Sequence, residues 1–371
     1  MGVCDSTSHN HNHRSKSANT SPREQKDTTD YIVSSEFATH DDLTKYYTIS
    51  SEFLGKGASG IVSEGTDSNG NKYAIKRVNK FTIKDKNCIR TEARISQTIH
   101  HENIVKCHGV YEDLKMVSFV LELIEGGDLY FFITKAPGGH LSDQDSLDLI
   151  IQILHTLNYL HNEAHICHRD IKPENFLIQI ENSTPKIKLI DFGLSCYIPE
   201  DHFMYDYLGS PLYMAPEIAE GQKYSKMIDL WSTGVLFYNM LTGCQPFSSK
   251  DRETTADEIV SAPIDFKLIE NEELRELCMG LMERLPDFRL SAVRALEKAL
   301  KIRNEAINLE LDDEQIQKMR EMFNKIDNDK KGYLTIEQLN EYYRVETKET
   351  YNIVTFSDFS YLVQNNTIVH Y

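Results

Sequence analysis

Three glycines and a lysine near the N-terminal end of the chain have the types and spacing needed to hold a phosphate group. Gly55, Gly57 and Gly60 lie between two strand-like runs. Glycines there would let the backbone close over a phosphate with its N–H groups exposed. Strand alternation places Ala74 and Lys76 of the next run on one face. Taken alone, the glycines could form a plain hairpin and the lysine could be a surface residue.

A larger group of polar residues follows along the chain. Glu92, on a predicted helix over residues 84–99, could pair with Lys76, although a solvated helix face is the plainer explanation for a glutamate taken alone. The remaining strings are His168-Arg169-Asp170-Ile171-Lys172-Pro173-Glu174-Asn175, Asp191-Phe192-Gly193 and Ala215-Pro216-Glu217. In this order and spacing the set resembles the eukaryotic protein-kinase family, over about residues 47–300.

The resemblance implies a role for each polar residue of the middle strings. Asp170 would accept or orient the proton of the substrate hydroxyl. Lys172, two residues later, is typical of kinases that act on serine and threonine. Asn175 and Asp191 would hold Mg²⁺, a hard cation that prefers oxygen ligands.

The resemblance also implies an ATP site. Lys76, held by Glu92, would bind the α- and β-phosphates, so both join Asp170 and Lys172 as catalytic residues. Leu121 would be a bulky gatekeeper, followed by a hinge whose backbone meets the adenine edge. The implied ATP-binding residues are Leu54, Gly55, Gly57, Gly60, Val62, Ala74, Lys76, Glu122, Ile124, Asp128 and Leu177.

The segment after Asp191 resembles an activation segment. Related kinases dock a phosphothreonine on the arginine that precedes the catalytic aspartate, here Arg169. Asp206 occupies the position of that phosphothreonine, so we expect a standing negative charge that makes activating phosphorylation unnecessary; an ordinary exposed acid is the alternative. The Ser210 hydroxyl is expected to contact Asp170.

The order of the predicted elements indicates the fold class. Strand-like runs come first, over residues 47–54, 60–66, 72–78, 105–111 and 117–123, and helical patterns follow, for example over residues 142–162, 226–241 and 271–282. This order predicts an α+β, two-lobed kinase domain over residues 47–302, with a β-rich N-lobe, a helical C-lobe and a ligand cleft between them. Within it, Asp229 should brace the catalytic loop and Arg289 should pair with Glu217.

A second module follows a short junction at residues 303–313. A predicted helix over residues 312–326 leads into a loop at residues 327–338 that has the length and central glycine of an EF-hand, and another helix is predicted over residues 336–343. A kinase followed by EF-hands resembles the calcium-dependent protein kinases of plants and protists. The implied Ca²⁺ ligands are at Asp327, Asp329, Lys331, Tyr333 and Gln338.

Departures from that pattern weaken the expected calcium site. Lys331 replaces an oxygen donor, and Gln338 replaces the bidentate glutamate, so the loop should bind Ca²⁺ much more weakly than a sensor site. Residues 347–358 keep only the apolar frame of a second loop, and the two together form an all-α EF-hand-like pair over residues 314–366. Calcium regulation is therefore left open, and calmodulin is a conceivable partner without support in the sequence.

The first 40 residues are polar and are predicted to be disordered. Gly2 follows the initiator methionine in a pattern typical of N-myristoylation, and Cys4 could carry a palmitoyl chain. Two chains give stable membrane anchoring, whereas one binds only marginally. An unmodified tail is the alternative.

The composition of the chain indicates which kinds of partner and which cellular compartment to expect. The formal net charge of −17 argues against a nucleic-acid partner and suits basic protein substrates. Seven scattered cysteines without a C-x-x-C pair indicate reduced thiols. With no apolar run as long as a membrane span, we expect a cytoplasmic protein associated with the cytosolic face of a membrane.

The leading interpretation is a basophilic serine/threonine kinase that uses ATP and Mg²⁺. The alternative is a pseudokinase or an EF-hand interaction scaffold. Such scaffolds usually lack the lysine, the catalytic aspartate or the metal aspartate, and this chain keeps Lys76, Asp170 and Asp191.

Overall fold

The computed structural model describes most of the chain. The described residues are 31–57, 60–83, 85–181, 184–247, 252–310, 313–327, 333–335, 338–339, 343–345, 353–355 and 368–370. Gly2, Cys4, Asp329 and Lys331 lie outside them. Within the described part of the chain, no helix is both long and apolar enough to span a membrane.

The N-terminal lobe forms a five-stranded antiparallel sheet with the order β1-β2-β3-β5-β4. Its strands are β1 (Tyr47–Gly57), β2 (Gly60–Asp67), β3 (Lys72–Asn79), β4 (Cys107–Glu112) and β5 (Met116–Glu122). The turn between β2 and β3 is closed by the Asp67 side chain, which accepts hydrogen bonds from the backbone N–H groups of Asn69 and Asn71. One helix, α1 (Lys86–Thr98), packs on this sheet and begins at Asp85, whose side chain caps it.

The C-terminal lobe is mainly helical. Its helices are α2 (Leu129–Lys135), α3 (Asp143–Asn158), α4 (Pro216–Ala219), α5 (Met227–Thr242), α6 (Arg252–Ser261), α7 (Glu272–Leu281) and α8 (Ala292–Glu310). Its strands pair as two short ribbons, β6 (Ile166–Cys167) with β9 (Cys196–Tyr197), and β7 (Phe176–Glu181) with β8 (Thr184–Leu189). Helix α5 is buried almost all round and carries Trp231, so it forms the centre of the lobe's core. The predicted two-lobed α+β kinase fold is confirmed in these two lobes.

The structure corrects the prediction that the first 40 residues are disordered. Residues 31–40 pack on the N-lobe, where Ile32 and Val33 are only 3% and 2% exposed. Apolar side chains that insert between a helix and a sheet can offset the entropy of ordering a short segment. The predicted disorder therefore concerns only residues 1–30, which lie outside the described part of the chain.

The region after the kinase lobes also differs from expectation. Helix α8 runs through most of the predicted junction and ends at Glu310, and α9 (Asp313–Ile326) follows. Antiparallel strand pairs form between β10 (Tyr333–Thr335) and β12 (Ile353–Thr355), and between β11 (Tyr343–Val345) and β13 (Ile368–His370). The β10–β12 pair joins positions seven to nine of the two predicted loops, residues 327–338 and 347–358, and the EF-hand-like pair itself stays a prediction. Tyr343 begins a strand instead of ending the predicted helix, because pairing with distant residues overrides the local pattern.

Candidate functional site

The polar centre of the cleft is Asp170, on the loop between β6 and β7. Its Oδ2 atom lies 2.6 Å from the Lys172 Nζ, and its Oδ1 atom accepts a hydrogen bond from the Ser210 hydroxyl at 2.8 Å. Lys172 Nζ also donates to the Ser210 Oγ at 3.0 Å, which closes a three-residue network. The Asn175 amide nitrogen donates to Asp170 Oδ2 at 3.0 Å. A carboxylate held by several donors keeps a fixed orientation, as a group that orients a hydroxyl must.

Asp229 of α5 binds the backbone of the loop that carries Asp170. The buried Asp229 carboxylate accepts hydrogen bonds from the backbone N–H groups of His168 at 2.9 Å and Arg169 at 2.8 Å. Burial raises the pKa of Asp229, but these bonds and the one with His161 overcome that effect and leave the pKa below its usual value. Arg169 has a φ of +67°, a conformation that is costly for a residue with a side chain. The predicted bracing role of Asp229 thus offsets backbone strain at the catalytic loop.

A second charged cluster lies at the sheet side of the cleft. Lys76 Nζ lies 2.6 Å from Glu92 Oε1 and 2.7 Å from Asp191 Oδ1. Burial lowers the pKa of Lys76, but the carboxylates of Glu92 and Asp191 outweigh it and raise the pKa above its usual value. Burial also raises the pKa of Glu92, although Lys76 opposes that shift. With two carboxylates on one ammonium, Lys76 stays charged and can exchange a carboxylate contact for a phosphate.

Asp191 and Asn175 provide oxygen atoms suited to Mg²⁺. Asp191 has a φ of +62°, and its Oδ1 atom accepts a hydrogen bond from the Gly193 N–H at 3.2 Å. A Cβ at Gly193 would lie 3.1 Å from that oxygen, so only glycine fits comfortably against the carboxylate. The Asn175 amide nitrogen is engaged by Asp170, which leaves its amide oxygen as the atom able to coordinate a cation. This donor set fits a hard divalent cation.

The predicted nucleotide-binding side chains of β2 and β3 share one face of the sheet. Val62 is the cross-strand partner of Lys76, and Ala74 is the partner of Leu121. The residues paired across the strands, and those two apart along a strand, point to the same side. Gly55 lies opposite Val62, and a Cβ on Gly55 would meet no atom within 4 Å. Leu54 is 56% exposed, so its apolar side chain is open to a ligand at the cleft mouth.

The hinge, residues 122–128, makes backbone contacts with Lys106 and Leu177. Glu122 donates its N–H to the Lys106 carbonyl at 2.8 Å. The Glu122 carbonyl is therefore the backbone group of this residue that would contact the adenine. Asp128 caps α2 by accepting a hydrogen bond from the Phe131 N–H at 2.7 Å and pairs with Leu177 through an isolated bridge. Ile124 lies between these two residues in the hinge and is part-buried.

The two glycines at the end of the β1–β2 ribbon differ in the space around them, and only Gly60 excludes a side chain. Gly60 has a φ of +130°, and a Cβ there would lie 2.6 Å from the Arg77 carbonyl oxygen. Gly57 pairs with Gly60 at the end of the β1–β2 ribbon, and a Cβ at Gly57 would meet nothing within 4 Å. Gly60 thus shapes the loop, while Gly57 leaves space beside it.

The activation-segment residues meet Arg169 as the sequence suggests. Arg169 Nη1 lies 2.7 Å from Asp206 Oδ2 and 3.3 Å from the Tyr224 hydroxyl. The Arg169 Nε donates to the Leu194 carbonyl at 2.6 Å. One guanidinium therefore connects the catalytic loop with three points of the following segment. The Asp206 side chain is 67% exposed, so this ion pair is partly screened by solvent.

The remaining predicted residues are the Glu217–Arg289 pair, which is present, and the calcium ligands, of which the structure describes only some. Arg289 pairs with Glu217 as predicted, and the contact is bidentate, at 2.8 and 2.9 Å. Of the predicted calcium ligands, Asp327 is buried and follows α9, Tyr333 opens strand β10 and Gln338 is part-buried. Because Asp329 and Lys331 lie outside the described residues, the calcium site itself remains a prediction.

The sequence reasoning missed one buried polar group of the N-lobe, which lies outside the cleft. Glu112 is fully buried at the end of β4, where its carboxylate meets Lys80 at 2.6 Å and the backbone of residues 32 and 33. The only available signal was the pair of apolar residues Ile32-Val33 within an otherwise polar stretch.

Comparisons with known proteins agree with this geometry. The family model for the protein kinase domain matches residues 48–300. Calcium-dependent protein kinase 33 of Arabidopsis thaliana is 33% identical over 341 residues, which cover 81% of this chain and 64% of that protein. Calcium-dependent protein kinase 9 of the same plant is 32% identical over 340 residues, which cover 81% and 62%. A probable myosin light chain kinase of Dictyostelium discoideum is 36% identical over 246 residues, covering 66% and 78%. The chain spans less than two thirds of the length of the two plant relatives.

Proposed function

This chain belongs to the protein kinase family, with relatives among the calcium-dependent protein kinases, and on that premise we propose that it transfers the γ-phosphate of ATP to serine and threonine hydroxyls of proteins. The proposal that serine and threonine are the acceptors rests on the hydrogen-bonded network of Lys172, Asp170 and Ser210. Lys172 places an ammonium beside the carboxylate that would orient the acceptor hydroxyl. A short aliphatic hydroxyl needs such close donors and acceptors to be positioned.

The roles proposed for the site follow from its charges. Asp170 orients the acceptor hydroxyl and takes its proton, while Lys172 neutralises charge on the transferred phosphate. Lys76 binds the α- and β-phosphates, and Glu92 holds it in place. Mg²⁺, held by Asn175 and Asp191, would neutralise phosphate charge when bound.

The test of the acceptor class uses peptides that are identical except at one position. Serine, threonine or tyrosine occupies that position, and phosphate incorporation is measured with ATP and excess Mg²⁺. We expect transfer to serine and threonine and only background transfer to tyrosine. Phosphotyrosine as the main product would refute the proposed class. A preparation inactive on every acceptor would favour the scaffold alternative, which the intact Lys76, Asp170 and Asp191 cluster argues against.

We further propose a preference for basic substrates. Glu174 is exposed beside the catalytic loop, Asp128 is part-buried at the hinge, and the net charge of the chain is −17. Exposed carboxylates attract arginine and lysine side chains of a peptide. The same panel with basic or acidic residues before the acceptor tests this: the basic series should show the lower KM, and the reverse order would contradict the preference.

We propose that Asp206 replaces an activating phosphate. Because the Asp206 side chain is exposed and its ion pair with Arg169 is partly screened by solvent, Asp206→Asn should lower kcat by only about fivefold. Asp201→Asn, an exposed acid of the same segment, is the matched control and should leave kcat unchanged. Phosphatase treatment of the wild-type protein should also leave kcat unchanged. Full activity of Asp206→Asn, or loss of activity after phosphatase treatment, would contradict this role.

We propose that calcium has little effect on activity. Lys331 and Gln338 each remove an oxygen donor from the loop at residues 327–338. The initial rate should be the same with Ca²⁺ as with a calcium chelator, with Mg²⁺ in excess. The variant Lys331→Asp/Gln338→Glu should bind Ca²⁺ more tightly in calorimetry than the wild type. Activity that requires Ca²⁺, with or without added calmodulin, would show that the loop or a bound calmodulin senses the ion.

Membrane association is proposed from the sequence alone. Gly2 would be myristoylated and Cys4 palmitoylated, which would tether the kinase to the cytosolic face of a membrane. Protein co-expressed with an N-myristoyltransferase and a protein palmitoyltransferase should carry both chains and sediment with lipid vesicles, whereas Gly2→Ala should not. Equal sedimentation of both would argue against the acyl anchor.

A further inference from the structure

A segment before the first strand, residues 31–40, is built into the core of the N-lobe; we refer to it as the N-terminal strap. Ile32, Val33 and Ala38 are buried in one apolar cluster with residues of α1 and of the β4–β5 hairpin. The cluster partners from these elements are Ile89, Ala93, Val110, Val117 and Phe119. The strap thus occupies the space between the helix and the sheet edge.

A buried ion pair fixes the strap to the sheet. The Glu112 carboxylate, which is fully buried, accepts hydrogen bonds from the backbone N–H groups of Ile32 at 2.6 Å and Val33 at 2.8 Å. Lys80 Nζ lies 2.6 Å from the same carboxylate. A buried carboxylate is tolerated only when such partners satisfy it, so strap and ion pair depend on one another.

Further backbone bonds continue the sheet into the strap. The Thr39 N–H donates to the Val110 carbonyl at 2.8 Å, and the Glu112 N–H donates to the Thr39 carbonyl at 2.9 Å. His40 Nε2 lies 2.8 Å from the Val33 carbonyl, and the His40 ring stacks on Tyr31 with centroids 3.7 Å apart. Both ends of the strap are therefore fastened.

The strap also holds α1 directly. The Arg90 Nε donates to the Ile32 carbonyl at 2.6 Å. The Arg94 guanidinium lies over the Phe37 ring at 5.8 Å and over the Tyr197 ring, after the Asp191 loop, at 5.2 Å. Helix α1 is thereby connected to the strap on one side and to the activation segment on the other.

The contact face of α1 adjoins the residue on which Lys76 depends. Ile89 is one turn before Glu92 on the helix, and Ala93 is next to it; both pack in the strap cluster. Glu92 Oε1 meets Lys76 Nζ at 2.6 Å only while α1 lies at its present depth against the sheet. A displacement of about 1 Å in such a site can cost about a hundredfold in rate.

We propose that the N-terminal strap is a positioning element for phosphate transfer. It seats α1 through Ile32, Val33 and the Glu112 carboxylate, and so keeps Glu92 on Lys76. No catalytic group lies in the strap itself. This role rests on the proposed kinase function.

The test uses the full-length protein with Ile32→Ser/Val33→Ser. We expect kcat to fall by at least about tenfold while the peptide KM stays unchanged. Ile32→Val/Val33→Ile, which keeps the apolar volume, should retain kcat. In a Glu92→Gln background the serine changes should have almost no further effect, because they act through Glu92. Unchanged kcat, or an undiminished loss in that background, would overturn the proposal.

Two further measurements separate positioning from simple loss of stability. Leu274→Ala, in the core of α7 far along the chain, should lower the Tm yet keep kcat per folded molecule. Amide hydrogen exchange needs no substrate, and in the strap variant it should become faster across α1 but not across α5. Unchanged exchange in α1 would overturn the strap proposal whether or not the protein is an active kinase. Failure of the strap proposal can therefore be told apart from failure of the proposed kinase function.

Discussion

Replacing Asp170 with asparagine should lower kcat for peptide phosphorylation by a factor of about 10²–10⁴. The amide keeps the shape of the side chain but loses the charge and cannot take up a proton. In the structure one carboxylate oxygen receives the Ser210 hydroxyl at 2.8 Å, and the other meets Lys172 at 2.6 Å. An asparagine would turn its NH₂ group toward one of these donors, so the network that orients the acceptor would be broken as well.

The measurement compares kcat at saturating ATP and peptide. Asp201→Asn is the control, since it makes the same chemical change at an exposed position of the next segment. Asp170→Asn should still bind Mg²⁺ and ATP, because Lys76 and Asp191 are unchanged. A fluorescent ATP analogue measures this binding. A variant with kcat within tenfold of the wild type would show that Asp170 is not the orienting base.

The largest effect on stability should come from Glu217→Ala. The Arg289 side chain is fully buried and is held by both Glu217 oxygens, at 2.8 and 2.9 Å. Removing the carboxylate leaves a buried guanidinium uncompensated, which costs about 3–5 kcal/mol. For a lobe of this size that loss corresponds to a Tm lower by roughly 10 °C.

Scanning calorimetry provides the test, with Glu276→Ala as the matched control. Glu276 pairs with Lys298 at 2.8 Å on the surface, and loss of that pair should barely change the Tm. Adding Arg289→Met to Glu217→Ala should recover part of the loss, because the unpaired charge is then gone. Equal Tm values for Glu217→Ala and Glu276→Ala would contradict the account of this pair.

Motif strings predict the polar centre of the cleft because their geometry is local. Asp170, Lys172 and Asn175 lie within six residues of one loop, so their spacing alone places them together. The order of strands and helices likewise predicts the two lobes, since three of the four strand pairs in the sheet join consecutive strands and only β3 and β5 pair across other elements.

The strap could not be predicted in this way. Ile32 and Val33 are too few to show any period, and their burial depends on Glu112, about eighty residues away. Strand β11 was missed for a related reason: it pairs with β13, so its conformation is decided by residues 368–370 and not by the helical pattern around Tyr343. Long-range pairing of this kind leaves no trace in local periodicity.

The most direct test of the central claim is the initial rate of phosphate transfer from ATP to a basic serine peptide by the purified full-length protein. The rate should be readily measurable in excess Mg²⁺ and should vanish when Mg²⁺ is chelated, with phosphoserine as the product. Absence of transfer in Mg²⁺, from a folded protein that binds ATP, would contradict the assignment of this chain as an active serine/threonine kinase.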